Sequence, residues 1–155
     1  MEEQFMREAI RLSRDKMRKN QGGPFGAIVV HGSEIVGRGW NQVTSANDPT
    51  AHAEVTAIRK ACKKLGTFHL NGCVLYTSCE PCPMCLAAAY WARIDRIYFA
   101  GTRKDAARAG FDDEFLYREI SKPRSRRSLP MEQLLRKEAV EAFEEWRTKA
   151  DKTPY

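Results

Sequence analysis

Two short runs in this chain hold residue types that can do chemistry together: His52-Ala53-Glu54 and Pro81-Cys82-Pro83-Met84-Cys85. The two cysteines of a C-x-x-C step stand about one helical turn apart, so both thiols can reach a single ion. At a helix N-terminus the dipole also favours their thiolate form. Two thiolates and one neutral imidazole leave a Zn²⁺ site with formal charge near zero. Three protein ligands keep the fourth position open for water, the catalytic arrangement rather than the closed structural one. The metal brings the pKa of that water toward about 7 and so makes hydroxide available at neutral pH. Glu54 supplies a carboxylate that can take the proton and return it to a leaving group. Residues two apart on a helix lie on nearly opposite flanks, so His52 and Glu54 can share a site only at a helix end. The site is therefore expected where two helix N-termini converge.

Two plainer readings compete. Cys79 precedes Cys82 and Cys85 at the same spacing, so with His52 the three thiols could close a structural Cys₃His zinc. Against this, Glu80-Pro81 breaks the chain after Cys79, which ends a strand while the other two open a helix. A redox pair is the second option, but it would leave His52 and Glu54 without a task. Catalytic zinc is the reading that uses every residue.

The elements that must hold these groups follow from periodicity. Residues 2–19 read as an amphipathic helix, stopped by Gly22-Gly23-Pro24. Residues 25–30 and 34–40 read as a hairpin turning at His31-Gly32-Ser33. A polar loop over 43–49 leads to a helix over 51–64, with Asp48 or Thr50 as its N-cap. A strand over 73–77, a helix over 83–93 and a strand over 97–100 follow. The pattern over 104–120 is helical with a break at Gly110. Residues 121–130 form a linker, and 131–149 an amphipathic helix carrying Met131, Leu135, Ala139, Phe143 and Trp146 on one stripe. Strands alternating with helices in this order predict an α/β protein, a three-layer α/β/α sandwich around a mixed central sheet. The expected division is a core over 1–120 and a linker, helix and tail over 121–155.

Length and composition bound the rest. The chain has 155 residues, 43% hydrophobic and 30% charged, a globular balance. The apolar stretch from Cys85 to Ala92 is far short of the roughly 20 residues a membrane span needs. The acidic start, Met1-Glu2-Glu3-Gln4, lacks the apolar region of a signal peptide, so a cytoplasmic protein is expected. Five cysteines, an odd number, argue against a disulfide framework. A net charge of +6 keeps nucleic acid among the conceivable partners without favouring it. The run Arg118, Lys122, Arg124, Arg126, Arg127 reads as a solvated face, although a phosphate contact would look the same.

H-x-E followed by P-C-x-x-C is the signature of zinc nucleobase deaminases. Asn47-Asp48-Pro49-Thr50-Ala51-His52-Ala53-Glu54 and Thr77-Ser78-Cys79-Glu80-Pro81-Cys82-Pro83-Met84-Cys85 resemble the core of the cytidine deaminase-like superfamily. Asp105-Ala106-Ala107-Arg108-Ala109-Gly110-Phe111-Asp112-Asp113 is similar, within it, to the bacterial guanine deaminases. The resemblance implies hydrolysis of guanine to xanthine and ammonia, with Zn²⁺ on His52, Cys82 and Cys85 and attack by hydroxide at the amino-bearing carbon. It implies Glu54 as proton shuttle, assisted by Asp113. Asn41 would hydrogen-bond the purine, Phe25 and Trp91 would be aromatic walls, and Ala53 would belong to the substrate-binding set. Tyr155 would close over the base as part of a tail exchanged between protomers of a homodimer. Residues 121–145 depart from the family in detail.

Taken alone, these residues have plainer readings. Asn41 can cap a turn, Asp113 can favour a helix N-terminus, Phe25 and Trp91 can be core, and Tyr155 can be a frayed end. The tRNA adenosine deaminases and cytosine deaminases share most of the core residues, so a tRNA adenosine deaminase, or a deaminase of another small amine heterocycle such as cytosine, guanosine or a triazine, stays an alternative. A non-catalytic zinc module does not need Glu54.

Overall fold

The computed structural model describes all 155 residues, which divide into two compact units, Met1–Glu114 and Phe115–Tyr155. The first begins with helix α1 (Glu2–Arg18), followed by strands β1 (Gly26–His31) and β2 (Glu34–Trp40). A four-residue helix α2 (Val43–Ala46) occupies the segment expected to be a plain loop. It ends at Asn47, whose φ of 50° turns the chain out of the helix. Helix α3 (Ala53–Leu65), strand β3 (Cys73–Cys79), helix α4 (Pro83–Trp91), strand β4 (Arg96–Gly101) and helix α5 (Arg103–Arg108) complete it.

The sheet runs β2-β1-β3-β4. β1 is antiparallel to both β2 and β3, and β3 is parallel to β4, so the sheet is mixed as expected. Alternation along β1 sends Ile28 and Val30 to one face, where they meet Ala9 and Leu12 of α1 and Tyr76 of β3. Ala27 and Val29 go to the other face, packing with Ala53, Ala57 and Ile58 of α3, Leu75 of β3 and Ala89 of α4. Helices thus cover both faces of the sheet, which is the three-layer α/β/α arrangement. No helix is long and apolar enough to cross a membrane.

Glycine lets the layers approach. A Cβ on Gly39 would lie 2.0 Å from the Ala53 carbonyl oxygen, and one on Gly37 would lie 2.3 Å from that of Ala57. β2 therefore fixes the height of α3 above the sheet. α3 starts two residues later than the sequence predicts, and neither Asp48 nor Thr50 is its cap. Asp48 Oδ1 instead accepts from the backbone N–H of Thr50 at 2.8 Å and from its hydroxyl at 2.6 Å, a local turn that leaves the N-cap position to His52.

The second unit holds most of helix α6 (Glu114–Ser121), a single 3₁₀ turn (Arg124–Arg126) and helix α7 (Arg136–Thr148). Glu119 clasps the turn between the helices, accepting from the backbone N–H of Ser128 at 2.6 Å, its hydroxyl at 2.9 Å, and Lys122. The last helix was expected from Met131. It starts at Arg136 because Leu135 takes a left-handed φ of 49°, so its first turn closes from Ala139 N–H to Leu135 O. Gly110, with φ +91°, breaks the segment between α5 and α6 where glycine tolerates that geometry.

Candidate metal centre and active site

The N-termini of α3 and α4 meet, and in both the N-cap residue bears a ligand. His52 caps α3 and Cys82 caps α4, both with extended backbone (ψ 159° and 167°) and neither with a side-chain capping bond. Pro83 at the first turn of α4 suits a position whose N–H would be orphaned anyway. The side chains turn instead toward one another: His52 Nδ1 lies 3.5 Å from Cys82 Sγ and 3.5 Å from Cys85 Sγ. In a tetrahedral zinc site with usual bond lengths, an N···S edge measures about 3.6 Å. The three ligand atoms all fall within 4.8 Å of one another, so the donor set and its spacing both fit zinc.

Cys79 stands outside this group. Its thiol points to the carbonyl oxygen of Thr102 at 3.7 Å, and burial pushes it up to about 11. Cys82 behaves oppositely. The hydrogen bond from the Cys85 thiol, aided by His52, pulls it down to about 4, and Cys85 is raised in return by the same bond. His52 is raised chiefly by its hydrogen bond with Cys82. All five cysteines are free thiols.

Glu54, in the first turn of α3, escapes the opposite-flank problem because His52 precedes the helix proper. Its side chain is buried, and its Oε1 accepts the Thr77 hydroxyl at 3.1 Å. Desolvation raises its pKa, which favours a carboxyl able both to hold and to release a proton. Asp113 is raised as well, first by burial and then by the Cys82 charge.

These groups open into a cavity of about 350 Å³ lined by Phe25, Asn41, His52, Glu54, Cys82 and Asp113, with Gly23, Thr44, Cys79, Glu80 and Phe111 among the remaining walls. Phe25 and Phe111 meet edge to face, ring centroids 4.9 Å apart and planes at 86°. Asn41 Oδ1 accepts from the N–H groups of Gly23 and Val43, each at 3.3 Å. Its carbonyl end is therefore tied to backbone, and the amide nitrogen is the end left to donate.

Trp91 is not part of this cavity. It is the last residue of α4, about 13 Å along the axis from Cys82, and it is 71% exposed. The second aromatic wall is Phe111, two residues before Asp113 in a segment the sequence marks as a whole without singling this ring out. Ala53 is fully buried in the core cluster rather than in the cavity lining. Tyr155 ends the second unit. Thr77 likewise opens a run that the sequence marks as a whole without giving this residue a role; it stands two residues before Cys79 on one strand face.

Residues 1–101 match the model of the cytidine and deoxycytidylate deaminase zinc-binding region. The chain belongs to this zinc-binding deaminase family. Among individual proteins, it is 52% identical over 153 residues to the guanine deaminase of Bacillus subtilis (strain 168), covering 99% of this chain and 98% of that one. The crystal structure of the guanine deaminase from Bacillus subtilis superimposes with a TM-score of 0.96 over 99% of this chain and 98% of its own. A solved guanine deaminase from Nitrosomonas europaea is 33% identical, covering 70% of this chain and 63% of that one, with a TM-score of 0.66. The tRNA-specific adenosine deaminase of Aquifex aeolicus (strain VF5) is 41% identical, but over 66% of this chain and 67% of its own. The alignment with the Bacillus protein spans residues 121–145, which lie outside the stretch that the family model matches.

Proposed function

We propose that this protein is a zinc-dependent aminohydrolase that converts guanine and water to xanthine and ammonia. The observation that carries this reading is the full-length likeness to a guanine deaminase, 52% identical across both units. The tRNA-acting relative matches only about two thirds of the chain. His52 Nδ1, Cys82 and Cys85 would hold the zinc, which when bound supplies an activated water and a Lewis acid.

The chain's own residues account for the remaining steps. Phe25 and Phe111 offer apolar walls for a planar base, and the tied Asn41 offers an N–H to a purine acceptor. Glu54 takes a proton from the attacking water and delivers it to the ring nitrogen beside the amino-bearing carbon. A carbon–oxygen bond forms there. The second proton comes from the hydroxyl now on that carbon and is carried to the amine, with Asp113 assisting from the cavity wall; the carbon–nitrogen bond then breaks, ammonia leaves and the carbonyl of xanthine forms. Burial of the Glu54 carboxyl keeps bulk water from competing for the protons it carries.

The active molecule is proposed to be a homodimer, with a tail that ends at Tyr155 closing over the base. Leu135, Phe143 and Trp146 near or on α7 support this, being 70%, 70% and 42% exposed. A cytoplasmic setting agrees with five free thiols. The test is ammonia release from guanine by the zinc-loaded protein. Glu54→Gln is expected to keep its zinc and lose turnover, and an active Glu54→Gln protein would remove Glu54 from its role.

A further inference from the structure

Thr77 sits at the centre of the sheet. Its backbone is registered against Ala27 of β1 on one side and Phe99 of β4 on the other. Its side chain is 1% exposed. A hydroxyl buried that deeply is ordinarily hydrogen-bonded, and here it is bonded to Glu54 Oε1 at 3.1 Å. A β-branched side chain is stiff at χ1, so a strand locked on both edges fixes where that oxygen lies. The carboxylate, by contrast, ends a flexible side chain at the first turn of α3.

From this geometry we infer that Thr77 is a positioning residue for the proton shuttle: its hydroxyl pins one carboxylate oxygen of Glu54 and so aims the other at the reacting atoms. The inference rests on the role given to Glu54 above. A threonine here meets a demand that valine would not, since packing alone in this apolar layer is satisfied by either. Without the hydroxyl, Glu54 keeps its burial and its contacts with its own backbone N–H and with Cys85, both at helix starts, but loses the donor that the sheet holds rigid. Such a carboxylate samples more than one orientation, and proton transfer is sensitive to sub-ångström placement.

The experiment compares Thr77→Val and Thr77→Ser with the full-length zinc-loaded parent, and runs Glu54→Gln beside them. Thr77→Val is expected to lower kcat by about tenfold to 100-fold. Zinc content, thermal midpoint and KM for guanine should stay close to those of the parent. Thr77→Ser, which keeps the hydroxyl, is expected to recover most of kcat. Should the valine protein not fold, Thr77→Ala takes its place under the same criteria. A valine variant with full kcat overturns the inference, as does a loss of kcat accompanied by loss of zinc or of fold in every variant. A folded serine variant no better than valine overturns it too. If Glu54→Gln is itself active, the failure lies with the role of Glu54. If it is inactive while Thr77→Val is fully active, the failure lies with Thr77 alone.

Discussion

Replacing Gly39 with alanine should damage the site without touching any residue in it. A Cβ at Gly39 would fall 2.0 Å from Ala53 O and 2.5 Å from Ala57 N. Non-bonded heavy atoms settle near about 3.5 Å, so β2 and α3 would have to part by more than an ångström. The obstructing atoms are backbone, and no rotamer change relieves them. Overpacking of this kind costs roughly 1–3 kcal/mol, and each kcal/mol lowers the thermal midpoint by roughly 2–4 °C in a chain of this size. The end of α3 that moves carries His52 and Glu54, and a misplacement of about 1 Å at a reacting centre costs on the order of 100-fold in rate. Gly37→Ala is the matched control, because its Cβ would strike Ala57 O at 2.3 Å, one turn further along α3. Both variants should melt earlier by similar amounts, while Gly39→Ala alone loses kcat on the order of 100-fold and binds less zinc. Thermal melts, zinc analysis and ammonia release read this out. A Gly39→Ala protein with kcat within about twofold of the parent refutes the reasoning. Equal kcat losses in the two variants refute it as well.

Cys85→Ser should reduce zinc from about one per chain to a small fraction. Cys79→Ser should leave it at about one, because the Cys79 thiol is turned to Thr102 rather than to His52. Metal analysis after dialysis separates the two, and zinc loss in Cys79→Ser would restore the closed four-ligand site. Asn41→Asp should raise KM for guanine by about tenfold or more with the zinc retained. The substitution swaps the free amide donor for an acceptor while both backbone N–H contacts survive; an unchanged KM would show that Asn41 serves only its turn.

The chemistry was legible in the sequence because it is carried by short, local signals. His52 and Glu54 are two residues apart, Cys82 and Cys85 three, and a helix start can gather each pair without reference to the rest of the fold. The sheet was legible too, since β1 and β2 show hairpin spacing and the later strands alternate with helices. What the sequence left out depends on contacts distant along the chain. Phe111 becomes a wall only because it meets Phe25 across the cavity, and Trp91, an equally good aromatic, sits at the far end of α4 from Cys82. Thr77 is an ordinary strand residue until β3 is set beneath α3. The start of α7 was misplaced because nothing in Met131 to Leu135 marks the left-handed turn that delays it. The cap of α3 was misread for a functional reason. The position that a capping side chain would fill is given to His52, whose ring is turned to the cysteines instead.

The most direct measurement is ammonia release by the zinc-loaded protein supplied separately with guanine, guanosine, adenine, cytosine and a tRNA anticodon stem-loop. Turnover of guanine, abolished in a Glu54→Gln protein that keeps its zinc, is the result predicted. Turnover of the stem-loop and not of guanine would contradict it, and would give the recognition to the arginines between Arg118 and Arg127 rather than to the cavity of Phe25, Asn41 and Phe111.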